Sequence, residues 1–219
     1  MLERARNAGR GPRLRIGYAP SLAAGILSPA VENFTQAHPN ARVELLDSST
    51  NQMLIALESG ALDVALSVGE QRPTRGLTWE LLVRAPWRLA VSRNHPLAKR
   101  SQVTLAEVVR EPLLGFCQRE YPEYWGFITG CLRHDNERAK IAAEYDGTEN
   151  LMAAVESGLG VAFVTTHMAR LFPKRARFVT LACAPDPVPI AVGHRADRAD
   201  DKVLAVFVAE LRKAAGRHA

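Results

Sequence analysis

The chain has 219 residues, of which 47% are hydrophobic, and a formal net charge of +5 at pH 7. Its length allows one large domain or two small ones, and its hydrophobic content supports a sizeable core. No apolar run approaches the ~20 residues of a membrane-spanning helix, and the basic excess lies at the two ends of the chain, so the sequence favours neither a membrane protein nor a DNA-binding body.

The first residues are rich in arginine and glycine without apolar periodicity, so we predict that residues 1–12 are a linker remnant. Because no apolar h-region accompanies these arginines, we expect no secretory signal and predict a cytoplasmic protein. Cys117, Cys131 and Cys183 form an odd set without a CxxC pair, which fits a reducing compartment and excludes a standard zinc framework. We interpret them as packed thiols, with a redox switch between Cys117 and Cys131 as the alternative.

Alternating and helical patterns predict two β-α-β-α runs, and hence helix-covered parallel sheets. In the first run, strands are predicted at 14–18 and 41–46, and a helix at 22–37 in which Pro29 kinks the helix or marks a restart after Ser28. A further strand is predicted at 87–91 and a short helix at 105–109, and the second run then has strands at 113–116 and 141–145 and a helix at 124–131. The chain then continues with strands at 177–183 and 188–193 and an amphipathic helix at 201–215.

Two stretches, Met53–Val68 and Leu151–Val164, repeat one design: an apolar helical run, then Glu-Ser-Gly, then a Val-Ala strand. In each, a glycine (Gly60 or Gly158) follows the helix at the position where a left-handed conformation suits glycine. The repetition indicates two similar lobes. The alternative is that such units recur in any α/β protein, since its helix-to-strand loops favour glycine.

Hydroxyl-rich or polar turns recur where predicted strands end, and they comprise Tyr18–Ser21, Asp47–Thr50, Phe116–Arg119 and Asp146–Glu149. Ser49–Gln52 has the capping-box pattern, and Asp146 and Thr148 can each cap the helix of the second repeat. In parallel α/β sheets, ligands bind beyond the carboxyl ends of the strands, and helix N-termini attract anions. The turns are therefore candidate ligand contacts, although some of these hydroxyls can serve only as caps.

The motifs of common enzymes are absent from the sequence. It has no GxxxxGK[ST] phosphate loop, no GxSxG elbow and no HExxH helix, and its six histidines are scattered without metal-ligand spacing. Gly158-Leu159-Gly160 follows a helix, whereas a dinucleotide fingerprint follows a strand. We therefore predict no enzymatic activity, no cofactor and no metal.

Five segments occur in an order that is specific: Leu14–Tyr18, Gly60–Leu66 (GALDVAL), His95–Ala98, Arg119–Trp125 (REYPEYW) and Gly158–Ala162 (GLGVA). On these segments the chain resembles the effector-binding domain of LysR-type transcriptional regulators, from about residue 14 to its C-terminus. The resemblance implies an α/β, type 2 periplasmic-binding-protein-like fold of two lobes. Each lobe is a helix-covered, mostly parallel sheet, and two crossing strands join them. Lobe one would comprise residues 13–91 and 190–219, and lobe two residues 92–189.

The resemblance also implies a small-molecule effector in the cleft between the lobes. The residues expected to contact it are Ser21, Ser49, Thr50, Gln118, Thr148 and Glu149. Effectors of the family are often carboxylates, although Glu149 argues against a polyanion. The implied partners are a second copy, in a homodimer formed through edge strands and helices of lobe one or in a tetramer, and DNA only through a helix-turn-helix domain.

That helix-turn-helix is not found in the chain, so we expect a fragment of a regulator, with Leu2–Arg10 as the frayed end of a dimerisation helix. Two other functions share the fold. A solute-binding protein of a transport system would need a signal peptide, and an enzyme of the same superfamily could use Cys183, although no base or anion clamp accompanies that cysteine.

Overall fold

The computed structural model describes residues 11–69, 76–132 and 141–217. The predicted dimerisation-helix remnant, Leu2–Arg10, and most of the predicted linker at 1–12 lie outside this range. The chain divides into two compact units, one formed by Met1–Val83 with Pro189–Ala219 and the other by Arg84–Val188. Each unit has its own sheet and its own core.

The strands are β1 (Arg13–Tyr18), β2 (Arg42–Asp47), β3 (Val64–Val68), β4 (Leu77–Ala85), β5 (Trp87–Val91), β6 (Gln102–Val103), β7 (Leu113–Phe116), β8 (Ile141–Tyr145), β9 (Val161–Thr165), β10 (Arg177–Leu181) and β11 (Val188–Arg195). The α-helices are α1 (Pro20–Ala23), α2 (Leu27–Ala37), α3 (Thr50–Glu58), α4 (Leu105–Val108), α5 (Pro122–Cys131), α6 (Thr148–Glu156), α7 (Thr166–Leu171) and α8 (Lys202–Gly216). Short 3₁₀ helices cover Pro96–Lys99 and Ala196–Arg198.

The sheet of the first unit has the strand order β2-β1-β3-β11-β4. Its strand β1 pairs in parallel with β2 and β3, whereas β11 runs antiparallel to β3. The core includes Ile16 of β1, and the ring of Phe34 in α2 meets that of Phe207 in α8 edge to face, with centroids 5.4 Å apart. Because α2 and α8 pack together, the last helix of the chain belongs to the core of the first unit.

The sheet of the second unit has the order β6-β10-β5-β9-β7-β8. Strand β7 is parallel to β8 and β9, and β5 is antiparallel to β9 and β10. Aromatic side chains of α5 hold this helix on the sheet: the hydroxyl of Tyr124 donates to the carbonyl of Phe163 at 3.1 Å, and the indole N–H of Trp125 donates to the carbonyl of Phe116 at 2.6 Å. The position of the turn after β7 is therefore set by buried contacts.

Local signals predicted two features of the repeats correctly. Ser49 and Gln52 form both hydrogen bonds of a capping box at the start of α3. Gly60 and Gly158 follow their helices with φ of 74° and 78°. A side chain is strained in this left-handed region, so glycine suits both positions.

Two local predictions were wrong. The helix predicted at 22–37 is interrupted at Ala24 and Gly25, where Gly25 has φ of 79°, and it restarts at Leu27. Pro29 consequently lies in the first turn of α2, where its missing N–H leaves no helical bond unmade. The cap of α6 is the backbone of Gly147, with no side-chain cap bond, so neither Asp146 nor Thr148 caps that helix.

Strand β4 was not predicted, and β5 lies elsewhere than expected. The first segment of lobe one was expected to end at residue 91, whereas the first segment of the first compact unit ends at Val83. The difference arises because β5 is hydrogen-bonded between β9 and β10, in the sheet of the second unit. The chain returns to the first unit at Pro189.

Candidate functional site

In the first unit, three of the predicted contact residues lie just beyond the carboxyl ends of parallel strands. Ser21 follows β1 within α1, and Ser49 and Thr50 follow β2 at the start of α3. The backbone joins these turns, since the N–H of Ser48 donates to the carbonyl of Tyr18 at 3.0 Å. The structure therefore brings Ser21, Ser49 and Thr50 to one edge of the first sheet.

Capping determines what the hydroxyl of Ser49 can do. Its oxygen accepts a hydrogen bond from the backbone N–H of Gln52 at 3.2 Å, and the Gln52 side chain accepts in return from the N–H of Ser49 at 3.0 Å. Ser49 is only 5% exposed. This residue mainly fixes the start of α3, and Thr50, which is half-buried, presents the more accessible hydroxyl.

Ser67 belongs to the same edge, and the sequence analysis missed it. It lies in β3, is 1% exposed, and has its hydroxyl oxygen 3.4 Å from that of Thr50. A single polar residue in the apolar strand Val64–Val68 is the signal that could have identified it. Pairing of Thr50 with Ser67 could not be inferred from the sequence, because the two residues are brought together only by the packing of α3 on β3.

In the second unit, Gln118 lies in the turn after β7. Its side chain is exposed, and its backbone N–H donates to the carboxylate of Glu144 at 2.9 Å. The preceding N–H of Cys117 donates to the carbonyl of Tyr145 at 2.9 Å, so the turns after β7 and β8 are connected. Gln118 thus stands beside the start of α6 at one edge of the second sheet.

Thr148 and Glu149 occupy the first turn of α6, but their surroundings differ. Thr148 is buried, with 8% of its surface exposed. Glu149 is exposed and forms an ion pair with Arg175 at 2.6 Å. Arg175 also forms an ion pair with Glu156 at 2.8 Å. Hydrogen bonds from Arg175 to Glu156 and Glu149 raise the pKa of this arginine. The carboxylate of Glu149 is therefore engaged by an arginine of its own unit.

Two further features of this edge were not predicted. The hydroxyl of Tyr121 lies 3.4 Å from the carbonyl of Asp146, and its ring packs on Phe116 with centroids 4.9 Å apart. Strand β9, parallel to β7, ends at Thr165, whose hydroxyl accepts from the N–H of Met168 and caps α7. Sequence reasoning missed Thr165 because the predicted second repeat stopped at residue 164.

Metal and membrane sites were also sought. Within residues 11–69, 76–132 and 141–217, no group of three or more His, Cys, Asp or Glu side chains is arranged to hold a metal ion. None of the helices in that part of the chain is long and apolar enough to cross a membrane. Cys117, Cys131 and Cys183 are free thiols, and burial together with the charge of Asp186 raises the pKa of Cys131. The polar groups at each of the two sheet edges, each within its own unit, are hydroxyls, amides and helix starts.

Comparison with known proteins gives a family match. The family model described as LysR substrate binding domain matches residues 7–216. Among curated relatives, the HTH-type transcriptional regulator TtuA of Agrobacterium vitis is 28% identical over 182 residues, which cover 81% of this chain and 59% of TtuA. The chain thus spans about three fifths of the length of that regulator.

Solved structures show the same fold. The effector-binding domain of QuiR in complex with shikimate superposes with a TM-score of 0.83 at 15% identity, covering 95% of this chain and 99% of that one. Full-length CbnR, a LysR-family regulator in complex with its target DNA, has a TM-score of 0.78 at 21% identity, covering 97% of this chain and 73% of CbnR. At these identities the likeness concerns the fold, which is the type 2 periplasmic-binding-protein-like fold.

Proposed function

The chain belongs to the LysR substrate-binding domain family, and on this basis we propose that it senses a small-molecule effector for a transcriptional regulator. The observation that carries the proposal is the pair of polar edges, one in each unit, that lie beyond the carboxyl ends of parallel strands. Ligands bind at such edges in α/β sheets. We further propose that the two compact units are the two effector lobes.

The proposed contacts in the first lobe are Ser21, Ser49 and Thr50. Two of these three hydroxyls lie at the start of α3, where the helix dipole favours an anion or a strong acceptor. Ser49 contributes mainly through the cap that holds this helix start in place. A carboxylate or a similar oxygen acceptor on the effector is the group that this edge suits best.

The proposed contacts in the second lobe are Gln118, Thr148 and Glu149. Gln118 supplies an exposed amide, and Thr148 lies at the start of α6. Glu149 contributes least to an anionic effector, because its carboxylate is paired with Arg175 and would repel a second negative charge. The second lobe therefore suits the uncharged or hydroxylated part of the effector.

The proposed mechanism is a shift between states of the lobes. An effector can change the equilibrium only by binding one state more tightly than the other. We assign DNA binding to a helix-turn-helix part, which the names of the relatives include. The effector-binding domain passes its change of state to that part through contacts with a second copy. We place this regulator in the cytoplasm, and we assign the domain no catalytic step and no cofactor.

The proposed partner is a second copy of the chain, in a homodimer or tetramer that uses the edge of the first lobe. Strand β2 lies at the end of its sheet and carries the exposed side chains Leu45 and Leu46. Ile55 of α3 is 67% exposed. Edge strands and apolar patches of this kind are covered in stable assemblies. Sedimentation velocity of the wild type and of Ile55→Lys tests this, and equal dimer fractions would contradict it.

A thermal-unfolding screen tests the effector proposal. The protein is mixed with small aromatic and aliphatic acids, amino acids and sugars, including shikimate, which is bound to the effector-binding domain of QuiR. At 100 times its Kd, a ligand adds ~2.7 kcal/mol to the free energy of unfolding. We expect one class of compound to raise Tm by roughly 5–10 °C in a domain of this size.

The control variants are Ser21→Ala in the first lobe and Thr148→Val in the second. Loss of a hydrogen bond of about 1 kcal/mol weakens binding roughly five- to tenfold, so both variants should reduce the Tm shift. Stabilisation by a compound that neither variant weakens would place its binding site elsewhere and contradict the proposed contacts.

A further inference from the structure

Ser67 is a buried hydroxyl in an otherwise apolar strand. The other residues of β3 are Val64, Ala65, Leu66 and Val68, and Ser67 is 1% exposed. Burying a hydroxyl without a hydrogen bond costs free energy, and an alanine would suit the packing of such a strand as well. The side-chain partner of this hydroxyl within the described part of the chain is Thr50, at 3.4 Å between the two oxygens.

The difference in burial between the two residues indicates the direction of this bond. The hydrogen of the Ser67 hydroxyl lies away from solvent and needs an acceptor within the protein. Thr50 is half-buried, so its own hydrogen can be donated to other groups at the start of α3. The lower-energy arrangement has Ser67 donating and the Thr50 oxygen accepting. The hydrogen of Thr50 then points away from Ser67.

We propose that Ser67 is a positioning residue: by donating to Thr50 from within β3, it fixes the rotamer of Thr50. The inference rests on the proposed function, because Thr50 is one of the proposed contacts of that site. At 3.4 Å the bond is longer than a strong O–H···O bond, so its contribution is to orientation more than to stability.

The test compares Ser67→Ala with Ser67→Cys. Cysteine nearly preserves the size and shape of serine, but its S–H is a weak donor. If Ser67 acts only by filling space, the cysteine variant should behave as the wild type does. If Ser67 acts by donating a hydrogen bond, the cysteine variant should differ from the wild type and behave as the alanine variant does.

The first readout requires no effector. Three-bond couplings to the ¹³C-labelled methyl group of Thr50 report its χ1 rotamer in the free protein. We expect one dominant rotamer in the wild type and rotamer averaging in both variants, with Tm recorded to confirm that each is folded. An unchanged Thr50 rotamer in both folded variants would overturn the proposal, and so would a wild-type rotamer in Ser67→Cys.

The second readout uses benzoate as a carboxylate probe and benzyl alcohol as its uncharged counterpart, each titrated against the amide resonance of Thr50. Both variants should weaken benzoate binding about three- to tenfold. Rotamer averaging without binding of either probe would leave the role of Ser67 standing and count against a carboxylate effector. Benzoate binding that is equally tight in wild type and variants would support the effector site and overturn the role of Ser67.

Discussion

Replacing Asp63 with asparagine is expected to destabilise the first unit strongly. The carboxylate of Asp63 is 6% exposed and accepts hydrogen bonds from the backbone N–H of Arg15 at 2.7 Å and from the guanidinium of Arg15 at two positions, each 3.0 Å away. Arg198 also donates to it and binds Asp201, the N-cap of α8. One carboxylate thus connects β1, the start of β3 and the last helix of the chain.

The magnitude follows from what the asparagine leaves behind. Removing one partner of a buried ion pair costs about 3–5 kcal/mol, because the remaining charge is buried without compensation. Here the two arginines are partly exposed, at 27% and 30% of their side-chain areas, and water can solvate them after the change. The cost should therefore lie near the lower limit, about 3 kcal/mol, which lowers Tm by roughly 6–12 °C in a domain of this size.

The pH dependence of this effect has a definite sign. Burial raises the pKa of Asp63, but the hydrogen bonds from Arg15 and the charges of Arg15 and Arg198 outweigh burial and hold the pKa below its ordinary value. A carboxyl whose pKa is lower in the folded state stabilises the fold above its unfolded pKa and loses that contribution as pH falls through the folded value. The difference between wild type and Asp63→Asn should be full at neutral pH and shrink below about pH 4.

Urea unfolding at several pH values measures the effect. The matched control is Glu44→Gln, which removes a carboxylate that also binds an arginine, Arg13, with two hydrogen bonds but on the surface. Exposed pairs contribute little, so this control should unfold at nearly the wild-type midpoint. Equal midpoints for Asp63→Asn and Glu44→Gln would refute the reasoning, as would an Asp63→Asn effect that grows below pH 4.

Four other substitutions test the second unit, three of them by urea unfolding and the last by Tm. Tyr124→Phe should cost about 1–2 kcal/mol, because the buried hydroxyl donates to the carbonyl of Phe163, and a wild-type midpoint would contradict this. Gly160→Ala should lower the free energy of unfolding by about 1–3 kcal/mol, because the new Cβ would lie 2.3 Å from the carbonyl oxygen of Pro112. In Gly130→Ala, in α5, the new Cβ meets no atom within 4 Å, so this change should be neutral or stabilising by up to ~1 kcal/mol. Equal effects of the two glycine substitutions would show that the close approach at Pro112 is not limiting. Arg175→Gln should change Tm by no more than about 2 °C, because its ion pairs with exposed carboxylates are weak, and a larger loss would assign them a structural role.

The features predicted well from the sequence are those determined by neighbouring residues. The capping box at Ser49 and the left-handed glycines Gly60 and Gly158 need only a few adjacent positions, and the family segments report the fold as a whole. The cap of α6 was predicted to be the side chain of Asp146 or Thr148. The N-cap is instead Gly147, and no side chain forms a cap bond there. Helix breaks such as the one at Gly25 depend on how α1 and α2 pack, which local propensity does not contain.

The features that were missed depend on contacts distant in sequence. Strand β4 has an irregular pattern of buried and exposed residues, so alternation did not identify it. The place of β5 was decided by its pairing with β9 and β10, which lie more than 70 residues further along the chain. Ser67 is the single polar residue of its strand, but its partner Thr50 is placed beside it only by the packing of α3. Sequence reasoning therefore predicted polar turns where strands end, but not the side chains that support those turns.

The central claim is that this domain binds a small molecule at the proposed contact residues. The most direct measurement is an NMR titration of the compound that most raises Tm in the screen, recorded with assigned amide resonances in the wild type, Ser21→Ala and Thr148→Val. The account predicts saturating shifts with 1:1 stoichiometry at the turns around Thr50 and Thr148, and weaker binding in both variants. Shifts confined to one lobe or located away from these turns, or a screen in which no compound stabilises the protein, would contradict it.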